Sequence, residues 1–126
     1  MLNGGLQVVV PSKQYYDMII ARLGENTSIA SYDFADQSLL SDVFRGNWVT
    51  LPYVYNALKT LRWEGVHNQI WQDDKVKNVH YILPPKPWDS ERGQEKPEDT
   101  LLFTWWWDMN DDRLRVEKVD GIDDGF

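Results

Sequence analysis

The chain has 126 residues, the size of one ordinary domain or of part of a larger one. It carries 20 acidic and 13 basic side chains, a net charge of −7, and this excludes a nucleic-acid grip driven by bulk charge. There is no Cys, so disulfides, thiolate catalysis and Cys-ligated zinc are excluded, and two His allow a metal at most two imidazoles.

Leu6–Val10 (LQVVV) is an almost unbroken apolar run ended by Pro11. It predicts a strand covered on both faces, as in a parallel or mixed sheet. Ser12 is a helix N-cap, and Tyr16, Ile19, Ile20 and Leu23 then share one helical face, with Gly24 as the stop. A second helix is predicted over Asp36–Phe44, with Leu39, Leu40, Val43 and Phe44 inward. Asn47–Leu51 predicts a short strand closed by Pro52. Val76–Ile82 alternates and predicts a strand ended by Pro84 and Pro85. A last helix is expected from about Glu98 to Asp111, with Asp99 or Thr100 near its cap. The expected fold class is α/β, and no internal repeat is visible.

Charge divides the chain unevenly. Residues 1–88 hold eight acids and eight bases, whereas residues 89–126 hold 12 acids and five bases. A domain of 1–88 and an acidic, Trp-rich segment of 89–126 are therefore expected. Asp89–Asp99 reads as a solvated loop. A doubly covered strand needs neighbours, and the predicted strands are few. This suggests half of a domain, with an exposed apolar face and a homo-oligomeric state.

Several residues have the chemistry of a site. Asp33 and Asp36, followed by Gln37, stand at the start of a predicted helix. Capping explains carboxylates there. Equally, the three-residue offset aims both at one pocket, where they could hold ligand hydroxyls or stabilise positive charge at a reacting carbon. His80 lies on the alternating segment and is either a structural imidazole or a ligand. Lys86 is held between Pro84, Pro85 and Pro87, whose fixed backbone would present its ammonium rigidly. An ammonium near an imidazole suits a metal–diphosphate group, although a surface lysine is the plainer alternative. Trp105, Trp106 and Trp107 point in three directions on a helix, so at least one faces a core. A sugar-stacking surface is the other use of such rings. Leu51–Asn56 lines a pocket or forms a buried turn.

Taken in order, these pieces resemble the second half of a family 8 glycosyltransferase of the glycogenin and galactinol synthase type, which has the GT-A fold. The matching marks are Leu2-Asn3-Gly4-Gly5 before Pro11-Ser12; Asp36-Gln37 followed by Leu40 and Phe44; Trp48, Leu51-Pro52 and Tyr55-Asn56; and Val79-His80 followed by Lys86-Pro87-Trp88. They cover residues 2–88. The resemblance implies a partial GT-A-like mixed sheet and retaining transfer of a sugar from a UDP-sugar to a carbohydrate or polyol acceptor, with Mn²⁺ as cofactor. It implies that Asp33 and Asp36 are catalytic, that Asn3 and Gln37 contact the donor sugar, that Lys86 grips the diphosphate and that His80 ligates the metal. It also implies that these groups converge around one activated saccharide.

Two departures stand out. The family motif is usually His-x-x-Gly-x-x-Lys-Pro-Trp, and Leu83 occupies the Gly place. The family also takes two metal ligands from an Asp-x-Asp motif ahead of the Asn-x-Gly segment, and this chain has no Asp-x-Asp. A truncated transferase, possessing one metal ligand of three, is one expectation. A non-catalytic carbohydrate-binding or interaction module derived from the fold is the alternative. No apolar run approaches the ~18 residues of a membrane span, and the opening residues lack the features of a signal peptide, so a cytoplasmic location is expected.

Overall fold

The computed structural model describes residues 3–25, 32–66 and 70–122. Among them are helices α1 (Lys13–Gly24), α2 (Ala35–Val43) and α3 (Thr100–Asp120), and two short strands, β1 (Ala57–Leu58) and β2 (Val79–His80). The described residues are thus mixed α/β. No helix among them is long and apolar enough to cross a membrane. The chain divides into two compact units, Met1–Pro52 and Tyr53–Phe126. The shift in charge at Trp88 falls inside the second.

In the first unit, α1 begins where the sequence places it. Ser12 takes the N-cap position, and its carbonyl accepts from the Tyr16 N–H at 3.0 Å. The predicted apolar face is not buried, however, since Tyr16, Ile20 and Leu23 are all exposed. Tyr15 meets Phe44 edge-on instead, with 5.5 Å between ring centres. Leu39 of α2 is buried as expected. Polar bonds tie the two helices together. Arg22 Nε donates to Asp42 Oδ2 at 3.0 Å and to the Tyr32 hydroxyl oxygen at 3.2 Å, while Tyr32 donates to the same Asp42 oxygen at 2.8 Å. Arg45 bonds the other Asp42 oxygen at 2.9 Å.

Two expected strands do not form. Leu6–Val10 joins no ladder, and Val8, Val9 and Val10 are 81%, 71% and 83% exposed. Asn47–Leu51 is likewise unpaired, with Val49 exposed. A run of β-branched residues favours an extended backbone, but a strand exists only where a second one supplies its hydrogen bonds.

The second unit holds the only ladder among the described residues. β1 and β2 run parallel, with Ala57 opposite Val79 and Leu58 opposite His80. The alternation over Val76–Ile82 therefore gives only two paired residues. Its partner is cut short on both sides by 3₁₀ turns, Tyr53–Tyr55 and Lys59–Arg62. Among the described residues this one pair stands where a mixed sheet of several strands is expected. In α3 the helix continues past the expected end at Asp111 to Asp120, and Gly121 closes it in the left-handed conformation at φ 67°. Its polar second half is a good helix, helped by i,i+4 pairing of Arg113 with Glu117 at 2.8 Å. The first half supplies the core, in which Leu102, Phe103 and Trp107 are buried with Ala57.

Inside that core sits an ion pair. Lys59 and Asp99 are both 0% exposed, with Lys59 Nζ 3.0 Å from Asp99 Oδ2. Asp99 holds the N-cap place of α3, as expected, but its side chain makes no capping bond. It turns inward and also accepts from Trp63 Nε1 at 3.1 Å. The rings of Phe103 and Trp63 stand 5.2 and 5.8 Å from the ammonium.

Lys59→Met leaves an uncompensated buried carboxylate, and a loss of about 3–5 kcal/mol is expected in urea denaturation. Acid probes the first unit. Arg45, Tyr32 and Arg22 hold the Asp42 carboxyl down at about 2. Its folded value thus lies below the ordinary ~3.9 of an unfolded Asp, so its contribution is complete above that pH and disappears as the pH falls towards 2. Helix signal from α1 and α2 should fade across this window, and Asp42→Asn should remove that part of the pH dependence.

Candidate functional site

The chemical residues fall into two groups, one in each unit. In the first unit, Asp33 lies in the turn before α2 and Asp36 in its first helical turn, both exposed. Capping does not occupy them. Phe34 takes the N-cap position without a side-chain cap, and its N–H donates to Ser38 Oγ at 3.2 Å. Neither carboxylate has a hydrogen-bond or ion-pair partner among the described residues. Between them Ala35 sits at φ 41°, in the left-handed region. That conformation costs a residue with a Cβ about 1–2 kcal/mol, and it is imposed between the two acids.

Gln37 is fixed by the far end of the same unit. Its Oε1 accepts from the Gly4 N–H at 2.6 Å, across 33 positions of sequence. The approach needs glycine, because a Cβ at Gly4 would lie 2.8 Å from Gln37 Cγ. The Gly5 N–H donates to Asn3 Oδ1 at 2.9 Å. The Asn3–Gly5 segment is therefore folded against the beginning of α2, and Asn3, Gln37 and Asp36 come from one small region. Leu2 lies outside the described residues.

In the second unit, His80 ends β2 and is half-buried. Its Nδ1 is buried and has no hydrogen-bond partner among the described residues. Burial, and then the nearby Lys86 charge, lower its pKa, so the ring is kept neutral. A neutral imidazole with an uncommitted nitrogen fits a metal ligand. Among the described residues no cluster of three or more His, Cys, Asp or Glu could hold the ion, so His80 fits as one ligand only.

Lys86 points its ammonium back over its own loop. Nζ donates to the Tyr81 carbonyl and stands 5.8 Å from the centre of the Trp88 ring. An ammonium has three protons, so two remain for another acceptor. The Tyr81 hydroxyl donates to the Leu102 carbonyl at 2.7 Å, and burial raises its pKa to about 12. Leu83 adopts φ 61°, the left-handed conformation that glycine takes freely, and stands where the resembling motif has Gly.

Of the three consecutive tryptophans, Trp107 is buried and donates from Nε1 to the Pro87 carbonyl at 3.1 Å. Trp106 packs on Trp88 with 5.9 Å between ring centres. The packing alternative holds for both. Lys59 escaped the sequence reading, although one signal was available: it is a lone charge inside the apolar stretch Tyr53–Leu61.

Comparison with known proteins agrees with these features. The model of the family described as "Glycosyl transferase family 8" matches residues 12–92. The chain is 28% identical over 123 residues to galactinol synthase 1 of Solanum lycopersicum, covering 94% of this chain and 37% of that protein. It is 31% identical over 114 residues to galactinol synthase 2 of the same plant, covering 87% and 32%. Glycogenin of Cryptococcus neoformans var. grubii is 29% identical over 140 residues, covering 90% and 15%. The chain spans about a third of the length of the galactinol synthases it matches. No solved structure matches it significantly.

Leu83 offers a direct test of the left-handed turn. Relief of its left-handed strain, less the unfolded-state freedom of glycine, predicts that Leu83→Gly raises stability by up to about 1 kcal/mol. Leu83→Val, branched at Cβ, should lower it. Thermal denaturation of the pair reads the sign.

Proposed function

The chain belongs to glycosyl transferase family 8, and from that premise we propose that it carries the donor-sugar and diphosphate contacts of a retaining glycosyltransferase with a UDP-sugar donor. The acceptor is a carbohydrate or polyol, and the fold is of the GT-A type. What supports this most is that the match over residues 12–92 spans both groups of residues described above, the acids at α2 and the His80–Lys86 loop.

The chemistry follows from charge. As the bond from the anomeric carbon to the diphosphate stretches, positive charge grows on the sugar and negative charge on the leaving UDP. Asp33 and Asp36 hold sugar hydroxyls and face the cationic side. Gln37, tethered by the Gly4 N–H, offers its amide N–H₂ to the sugar, and Asn3 stands beside it. Lys86 turns its two remaining N–H groups to the diphosphate. His80 contributes one ligand to Mn²⁺, which when bound adds positive charge at the leaving group. The rings of Tyr81, Trp88 and Trp106 pack side by side next to Lys86. The reading includes self-association, supported by the exposed Val8–Val10 segment.

The test is Mn²⁺-dependent hydrolysis or transfer from a UDP-sugar by the 126-residue chain. Asp36→Ala removes charge stabilisation at the anomeric carbon and should lower the rate about 10²–10³-fold with little effect on UDP affinity. Absence of both UDP and Mn²⁺ binding at millimolar concentration would remove this reading.

A further inference from the structure

We propose that Lys59 is a positioning residue for Lys86, holding the segment that presents the Lys86 ammonium to the donor diphosphate. The inference rests on the reading of Lys86 given above.

Residues 84, 85 and 87 are Pro and have no N–H. The segment Pro84–Pro87 has a single backbone donor, the Lys86 N–H, so its carbonyls are its main handles. Donors must come from elsewhere, and they do. Lys59 Nζ donates to the Pro85 carbonyl at 2.9 Å. Trp107 Nε1 donates to the Pro87 carbonyl at 3.1 Å. The Lys86 carbonyl between them accepts from the Asp89 N–H at 3.1 Å and from Ser90 Oγ at 2.8 Å. Each carbonyl from Pro85 to Pro87 thus has a donor, and for Pro85 that donor is a charged side chain with no exposure.

Lys59 is not placed to touch a ligand. Of its three protons, one goes to Asp99 and one to Pro85, and aromatic rings line the ammonium. A buried ion pair is also a poor source of stability, because apolar residues of the same volume do as well or better. An apolar pair would lack the directed bond to the carbonyl immediately before Lys86. That bond is what the charge supplies. Asp99 aims the ammonium and anchors it to the start of α3.

The experiment compares the full chain with Lys59→Met/Asp99→Asn and with Lys86→Met. The double variant removes both charges and keeps an oxygen acceptor for Trp63, so no buried charge is left unpaired. The first readout is hydrogen exchange. Loss of one anchoring bond should speed exchange at Asp89, whose N–H is bonded to the Lys86 carbonyl, about tenfold, while Trp107 inside α3 stays within about twofold. The second readout is affinity for inorganic pyrophosphate by calorimetry. It should fall about tenfold in the double variant, as it does in Lys86→Met.

Exchange that accelerates equally throughout the unit would make Lys59 merely structural and overturn the proposal. So would pyrophosphate binding that is lost in Lys86→Met but kept in the double variant, which leaves the reading of Lys86 intact. Wild-type protein that does not bind pyrophosphate would overturn that reading and the positioning role with it.

Discussion

The Lys59–Asp99 pair is the point on which the second unit depends. It connects three pieces of chain at one ammonium: the 3₁₀ turn after β1, the proline segment before Trp88 and the start of α3. Two charges without solvent can persist only if each is fully bonded. Here the ammonium has a carboxylate, a carbonyl and two aromatic rings, and the carboxylate has an ammonium and an indole N–H. The core around it is small, with Leu102, Phe103, Trp107 and Ala57 as its buried apolar members. In so small a core directed polar bonds define which packing is adopted.

The same economy runs through the candidate site. Its residues sit on short elements and are fixed by bonds to backbone. Gly4 meets Gln37, Lys86 meets Tyr81, and Tyr81 meets Leu102. Two residues with a Cβ take left-handed backbone among the described residues, Ala35 and Leu83, and each lies in one of the two groups of site residues. Strain of this kind persists only where neighbouring contacts impose it. At Leu83 a side chain occupies the conformation that glycine takes freely.

Helix starts were legible because they follow from local rules. Ser12 and Asp99 stand at the N-caps of α1 and α3, and α2 falls within one residue of its expected bounds. Strands were less legible. Leu6–Val10 has the composition of a buried strand, but pairing is a property of two segments, and a single segment does not encode the presence of the other. The end of α3 was missed because its second half loses the apolar stripe, while charge pairs such as Arg113–Glu117 continue the helix.

By itself the sequence determined the identity and order of the chemical groups: two carboxylates and an amide at one helix start, and an imidazole and an ammonium around a proline-rich turn. It also determined the family resemblance, because motifs are linear. Only the tertiary structure decided that the carboxylates are not caps, that Gly4 tethers Gln37, and that the imidazole is left with an unpartnered buried nitrogen. It alone revealed Lys59 and Asp99 as partners, 40 positions apart. The physical reason is that burial and hydrogen bonding are properties of a surrounding. A charged side chain reads as solvated until the fold removes water from it, and its partner is then chosen by proximity in space.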